Sequence, residues 1–333
     1  MMKSNKKSFM NSIMSGYGGI LLVLLVFVLL FSLGTDTFFK PNNIILVIRQ
    51  ASIACLMAFG VTFVLIAGSI NLGVGSVYGI SGICTAMLII NEGLPIWVGI
   101  AGAVVIGLLC GLFCGIITVK TNIPAFIATL GVSYILRGAT YLISGGVQIT
   151  VMYDKLNNIG MGAFLGIPLP IYYMIATVII LGLILGNTRT GRYIYATGSN
   201  VTAARFAGIN TEWIMILVHC IACVLAALSG FVNMARLYNA SPGMGEGSEI
   251  DAIVAAVIGG TSMAGGSGSL VGTLIGSLII AVMSNGLNHF GLNSYWQQVA
   301  TGSLLIIALG LDELKKHMEL KQIMKKAAGE SGS

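Results

Sequence analysis

A chain of 333 residues with 56% hydrophobic and only 8% charged residues cannot build a water-facing surface of ordinary size, because soluble domains carry about 25% charged residues. Its length accommodates about ten helical membrane spans of about 20 residues each. The net charge of +6 is spread over the ends of apolar runs, where membrane topology requires it, so no nucleic-acid partner is expected.

The chain opens with Lys3, Lys6 and Lys7, followed by the apolar run 17–34. That run is longer than a signal-peptide core and no A-x-A site follows it, so it reads as an uncleaved first span. Hydropathy then places spans at 43–67, 74–90, 95–118, 123–143, 168–187, 212–236, 250–266, 268–288 and 296–311. The expected fold is all-α: a polytopic membrane protein of about ten transmembrane helices with broken or re-entrant segments. Residues 1–16 and 312–333 form cytosolic ends around a permease-sized membrane domain, 17–311. Most of the 17 basic residues then fall on the cytosolic side, among them Lys120, Arg189, Arg192, Arg205, Lys315 and Lys316. The inverted topology would put the charged tail outside.

Several local signals qualify this string of spans. Pro124 stands in the first turn of its span, where a missing N–H costs nothing. Asn210 and Thr211 before Glu212 read as a helix N-terminus. The span 250–266 is short and interrupted by Gly259 and Gly260, which suggests a half-helix that dips in and returns. Ile70–Ser76 (I-N-L-G-V-G-S) and Gly259–Ser269 (G-G-T-S-M-A-G-G-S-G-S) are alike in composition and hint at an internal repeat, as in many transporters.

Conventional catalytic chemistry is missing. The six cysteines, with Cys110 and Cys114 four apart and Cys220 and Cys223 three apart, lie in apolar runs and read as packing residues. No Ser/His/Asp set and no metal-ligand spacing stands out, so neither cofactor nor metal is expected. The G-x-x-x-x-G-K-[ST] phosphate loop is absent, and the glycine-rich stretch 259–268 lacks its lysine. Any ATP hydrolysis therefore belongs to a separate partner.

Between greasy runs stands one basic, polar island, Thr190–Ile209, in the loop 188–211. Its later part carries small residues at Ala203, Ala204, Ala207 and Gly208. A short helix of small residues beside the membrane can lie against another protein with little steric barrier. The island resembles the cytosolic coupling loop of ABC-importer permeases.

Three further stretches extend that likeness from about Asn43 to Asp312. Gly60–Ser76 is close to a G-G-I-D-L-S-V-G-S block. Lys120–Gly131 reads K-T-N-I-P-A-F-I-A-T-L-G. Glu249–Gly276 reads E-I-D-A-I-V-A-A-V-I-G-G-T-S-M-A-G-G-S-G-S-L-V-G-T-L-I-G. Together they resemble the sugar branch of ABC-importer permeases, the family of the ribose, galactose and xylose permeases. Asn71 stands where that family usually has aspartate, and Ser267 where it often has arginine.

The resemblance implies a multi-pass protein of the bacterial inner membrane that moves a small neutral solute, a monosaccharide such as ribose, by alternating access. It implies a partner ABC ATPase, often two fused cassettes, an extracytoplasmic binding protein, and a second permease copy, all set in membrane lipid. It assigns ATPase coupling to Gly191, Arg192, Ala203, Ala204, Arg205 and Gly208. The translocation pathway would involve Asn71, Gly68, Gly75, Arg49, Pro124 and Thr129. Glu246, Glu249 and Asp251, read as an acidic patch in an outer loop, would dock the binding protein.

Each assignment has a plainer counterpart. Asn71 can hydrogen-bond solute hydroxyls, hold a broken helix end, or simply cap a turn. Arg49, Arg137 and Arg236 can snorkel to the interface. His219 reads as a hydrogen-bonded packing residue, and Asn285, Asn288, His289 and Asn293 as an outer interfacial cluster. An ion-coupled secondary transporter is the competing function, but no Asp or Glu reads as central in a span, where such transporters place coupling groups. Nucleosides, polyols and furanose-like signals remain alternative cargoes. The topology predicts that a reporter fused after Ser333 reads cytosolic and one inserted at Asn157 reads external; an external C-terminus overturns it.

Overall fold

Long apolar runs leave the backbone no hydrogen-bond partner in lipid except its own helix, and the chain folds accordingly. The computed structural model of the protein describes residues 2–35, 37–121 and 123–310, with side chains from residue 17 onward. The C-terminal tail expected over 312–333 lies outside the described residues. Twelve α-helices follow in order: α1 Met2–Gly34, α2 Pro41–Ile66, α3 Val74–Ala86, α4 Ile96–Lys120, α5 Ala125–Ser144, α6 Asp154–Met161, α7 Leu169–Asn187, α8 Arg189–Ser199, α9 Val201–Phe206, α10 Thr211–Leu237, α11 Ser248–Ile258 and α12 Leu270–His289. A π-helical turn, Met87–Asn91, prolongs α3, and a further helix runs over 294–310. Among the described residues, eight helices are long and apolar enough to cross a membrane.

The helices fall into two runs of like order. One is α2, a break at 67–73, α3, α4 and α5. The other is α10, a break at 238–247, α11, α12 and the helix over 294–310. The long helices cross-pack between the runs: α4 lies on α10, α12 on α2, and α2 on α10. On the topology expected from the sequence, α2 enters from the outside and α10 from the cytosol, which gives the two runs opposite orientation, as in inverted-repeat transporters. The repeat therefore pairs the break after α2 with the break after α10. The expected pairing of 70–76 with 259–269 is corrected: the second of these is a cytosolic turn, not a break at depth.

The passage assigned to 250–266 is also corrected. α11 ends at Ile258, and Gly259 lies against Gly272 near the start of α12. At 1.5 Å per residue an 11-residue helix rises about 15 Å, half of the ~30 Å hydrocarbon core. The other half is the non-helical segment 241–247, which descends along α3. Met244 O packs at Gly79 and Gly245 O at Gly75. Sequence hydropathy moved the passage toward the cytosol because 241–247 is too polar and glycine-rich to register as membrane.

Small residues set the spacing of the core. A Cβ on Gly107, Gly111 or Gly115 of α4 would meet the backbone of Val224, Cys220 or Ile216 on α10 at 2.5–2.8 Å. A Cβ on Gly276 would strike Ala255 O, so α11 and α12 touch backbone to backbone. Such approach is how membrane helices gain dispersion contacts in a solvent that offers no hydrophobic driving force.

The outer face is fastened by polar pairs. Asn43 and Asn285 exchange reciprocal amide hydrogen bonds of 2.9 Å, and His289 bridges Asn43 and Thr37 at 3.1 and 2.9 Å. The cluster read as interfacial thus clamps the α1–α2 turn to the end of α12. Antiparallel pairing of Ile149–Thr150 with Asn239–Ala240 holds the outer segment carrying α6 against the end of α10. Replacing Gly276 by valine is expected to wedge α11 from α12 and to lower the unfolding free energy by about 1–3 kcal/mol or more. A thermal melt of the purified protein equal to wild type overturns that packing.

Candidate functional site

Two breaks at membrane depth must satisfy their own backbone groups, and the residues that do so form the centre of the site. α2 ends in a Schellman motif: Ser69 N donates to Val64 O (3.0 Å) and Gly68 N to Leu65 O (2.9 Å). Gly68 at φ +78° supplies the left-handed residue this cap needs. Leu72 N then donates to Thr129 Oγ1 of α5 at 3.1 Å. Gly73 N donates to Asn71 Oδ1 at 2.8 Å.

Asn71 is 1% exposed. Because its Oδ1 accepts from Gly73 N, its Nδ2 faces α10, 2.9 Å from His219 Nδ1 and 3.5 Å from Cys223 Sγ. His219 Nδ1 is thereby the acceptor, and Nε2 carries the proton toward Ser69 Oγ at 3.3 Å. Asn71 and His219, weighed separately in the sequence, are one interaction between the first break and α10. His219 lies eight residues into α10 from Thr211, about 12 Å deep. An aspartate at position 71 would keep the acceptor for Gly73 but lose the donor to His219.

The second break meets the first. A Cβ on Gly75 would strike Glu249 Oε2 and fall 2.6 Å from Gly245 O. The N-termini of α3 and α11 therefore converge, and the Glu249 carboxylate sits where both helix dipoles are positive. Its Oε2 is buried without a hydrogen-bond partner among the described residues. Arg137 turns inward and donates to Met244 O at 3.1 Å, holding the second break from α5.

These positions correct the expected outer acidic patch. Glu246 is exposed, but Glu249 and Asp251 belong to α11 and are partly buried inside the bundle. Glu249 lies nine residues above the cytosolic end of α11, about 14 Å deep. The expectation that no carboxylate is central in a span is corrected with it. Arg236 does not snorkel outward: its Nε donates to Asn233 Oδ1 at 3.1 Å, and both line a cavity. Arg49 is partly buried, with Nε lacking a partner among the described residues and Nη1 3.3 Å from Met161 Sδ. Pro124 is exposed and precedes the first residue of α5, at the cytosolic rim rather than with Asn71, Gly68, Gly75 and Thr129.

The cavity, of about 260 Å³, lies among α2, α3, α10, α11 and α12, with Gln50, Asn233, Arg236, Asp251, Ser277 and Ser284 among its lining. Sequence reading did not assemble it. Its signal was present as polar and small residues at helical spacing: Ser248, Asp251, Ala252 and Ala255 on α11, and Ser277, Ala281 and Ser284 on α12.

The cytosolic island folds as two short helices, each with a side-chain N-cap. Thr188 Oγ1 accepts from Gly191 N at 3.2 Å and Asn200 Oδ1 from Ala203 N at 2.9 Å. α8 packs on the end of α2, where a Cβ on Gly198 would strike Ile66 O, and the loop after α11 reaches the same carbonyl, Gly266 N donating to Ile66 O at 2.8 Å. Tyr195 Oη donates to Gly268 O at 2.8 Å. Burial, and secondarily the Tyr17 phenol nearby, raise the Tyr195 pKa, which keeps that hydroxyl a donor. α8 thus holds both the helix that enters the first break and the loop that follows α11. Gly191 packs against carbonyls of α7, and Arg192 is exposed.

The expected face of Ala204 and Gly208 is not formed. Ala204 is buried at 4% exposure. Gly208 lies beyond the end of α9 at φ +80° and caps it, with Ile209 N donating to Ala204 O at 3.0 Å. Arg205 turns back, its Nε donating to Thr211 Oγ1 at 2.9 Å. The exposed side of α9 carries Val201, Ala203 and Phe206 instead, and Phe206 is 89% exposed. Phe206 was missed because a lone aromatic among small residues reads as packing. Nearby, Lys120 and Glu212 pair at 3.0 Å on the surface.

The sequence matches, over residues 43–309, the family described as branched-chain amino acid transport system / permease component. It is 38% identical over 300 residues to the ribose import permease protein RbsC of Escherichia coli K12, covering 89% of this chain and 93% of that protein. It is 35% identical over 312 residues to the D-allose transport system permease protein AlsC of the same organism, covering 93% and 96%. The xylose transport system permease protein XylH of Haemophilus influenzae is 30% identical over 359 residues, covering 89% and 96%. No solved structure matches significantly. Replacing Asn71 by alanine removes the bonds to Gly73 and His219 and is expected to destabilise the fold by about 1–3 kcal/mol. Solute uptake should fall with it, while membrane insertion persists; unchanged melting and uptake overturn the role of Asn71 at the junction.

Proposed function

The chain belongs to the branched-chain amino acid transport system / permease component family, in its sugar-importing branch, and from that premise we propose that it conducts a monosaccharide, with ribose the first candidate, as one copy of a permease dimer. It is a multi-pass inner-membrane permease subunit of an ABC importer. Family membership implies an ATPase partner and a substrate-binding protein partner. The ribose permease relatives support ribose, and the allose and xylose relatives keep those sugars in contention.

The observation that carries the reading is the grip of α8 on both broken units. Docking of an ATPase on α9, with Phe206 as its apolar anchor, displaces α8. That displacement pulls Ile66, at the entry to the first break, and Gly266 and Gly268, in the loop behind α11. The floor formed by the α11–α12 backbone contact opens as that loop moves. The breaks are the parts able to move because they lack continuous helical hydrogen bonding.

The docking assignment for Glu246 stays with an outer exposed residue. For Glu249 and Asp251 interior placement favours a role inside the permease over contact with a binding protein. Ion coupling is disfavoured because the interior carboxylates share their surroundings with Arg137 and Arg236, which repel a coupling cation.

Phe206→Ala is expected to weaken association with the ATPase roughly 30-fold, about 2 kcal/mol for a buried aromatic anchor. Uptake should fall in parallel while chain abundance stays normal. The purified chain alone should hydrolyse no ATP. Full association and uptake by both Phe206→Ala and Phe206→Glu overturn the anchor.

A further inference from the structure

A guanidinium in a membrane protein needs acceptors, because an unpaired charge out of water is costly. Arg49 has none of the usual kind. Its Nε is buried without a partner, its Nη1 meets only the weakly accepting Met161 Sδ at 3.3 Å, and it makes no ion pair among the described residues. Arg236, by contrast, is held by Asn233 Oδ1.

An apolar groove begins beside Arg49. α4 packs on α10 and α7 packs on α2, and these contacts leave a cavity of about 450 Å³. Buried Leu56, Phe231 and Val232 form its floor, and Ile100, Ile159 and Tyr173 its sides. Ile100 is 40% exposed, so the groove opens out of the bundle, toward lipid.

Three relations join the charge to the groove. Arg49 and Leu56 are seven residues apart, two turns along one face of α2. Ser229 Oγ donates to Ile53 O at 2.7 Å, which sets α10 level with α2; Val232 is then level with Gln50, one residue from Arg49. Met161, which touches Arg49, is two residues beyond Ile159 on α6. Arg49 therefore stands at one end of the groove. On the topology expected from the sequence, that end is the outer one. Arg49 lies 17 residues before the end of α2, about 26 Å, and α2 itself ends inside the membrane. The guanidinium is thus near the outer boundary of the ~30 Å hydrocarbon core, where phosphates of the outer leaflet lie.

We propose that this groove binds an anionic phospholipid, with one acyl chain along α10 and the phosphate on Arg49. A phosphate accepts two parallel bonds from a guanidinium, which supplies the acceptor that Arg49 Nε lacks. Lys155, exposed and one turn from Ile159 on the same face of α6, adds a second positive charge at the mouth. Tyr173, four residues into α7, places an amphipathic ring at the interface, where such rings are favoured. The site is independent of the cargo: it needs only that the chain spans a membrane.

The test uses the full-length chain, delipidated in detergent. Native mass spectrometry should show one dioleoylphosphatidylglycerol retained per chain, and dioleoylphosphatidylcholine held about tenfold more weakly. Phosphatidylglycerol should raise the melting temperature, whereas glycerol 3-phosphate, which has no acyl chain, should not. Arg49→Gln should weaken phosphatidylglycerol binding about tenfold, as expected for loss of one charge-assisted partner. Ala176→Phe and Ile100→Trp, which fill the groove from its exposed rim, should each reduce retention of both lipids. Equal retention of the two lipids, equal stabilisation by glycerol 3-phosphate, or wild-type retention by Arg49→Gln or by both filling variants overturns the site. Efficient disulfide linkage of two Ile100→Cys chains in native membranes also overturns it, because a second copy then covers the groove.

Discussion

Every feature of this protein answers to one constraint: backbone that is not helical at membrane depth has no water to bond and must be satisfied by the protein. Two segments, 67–73 and 241–247, violate helical continuity there. Each is held by a side chain from α5, Thr129 for the first and Arg137 for the second. Each also caps itself, through Asn71 in one case and through successive short turns such as Glu246 N to Gly243 O in the other. The surrounding helices, α4, α5, α10 and α12, exist in their packing to shield these two segments from lipid.

Glycine makes the shielding possible. Where α4 meets α10, and where α11 meets α12, the backbones approach within the reach of a missing Cβ. The same economy brings Gly75 against the Glu249 carboxylate. A carboxylate at this depth is costly, and it is tolerated because two helix N-termini and Arg137 surround it. The junction is therefore electrostatically specified: shifting α3 relative to α11 changes the environment of a charge. Tight backbone contacts and a charge that senses registry make a centre with discrete arrangements rather than a continuously deformable one.

The cytosolic end is joined to that centre by direct contacts. α8 contacts the end of α2 and the loop behind α11 through main-chain groups, so it cannot move without moving both. α9 adds a projecting aromatic side chain and little else. In α9 Ala204 is buried against the rest of the protein while Phe206 projects. The surface pair Lys120–Glu212, exposed on both sides, adds little energy and joins the end of α4 to the start of α10.

Composition and hydropathy by themselves determined the class and the polar island between the two halves. These are properties of transfer to lipid, which each residue carries with it wherever it packs. Four long motifs sufficed for the family. Tertiary structure alone decided which residues act together. Asn71 and His219 are 148 positions apart and Gly75 and Glu249 lie in different halves, and no periodicity within one helix reports a contact between two. It moved the re-entrant passage from 250–266 to 241–258, because the non-helical half is polar and invisible to hydropathy. It turned Glu249, Asp251 and Arg236 inward, because the half-helix beginning at Ser248 starts inside the bundle and not at its surface. It buried Ala204 and left Gly208 beyond the helix, because α9 stops at Phe206 and a face needs a helix to continue.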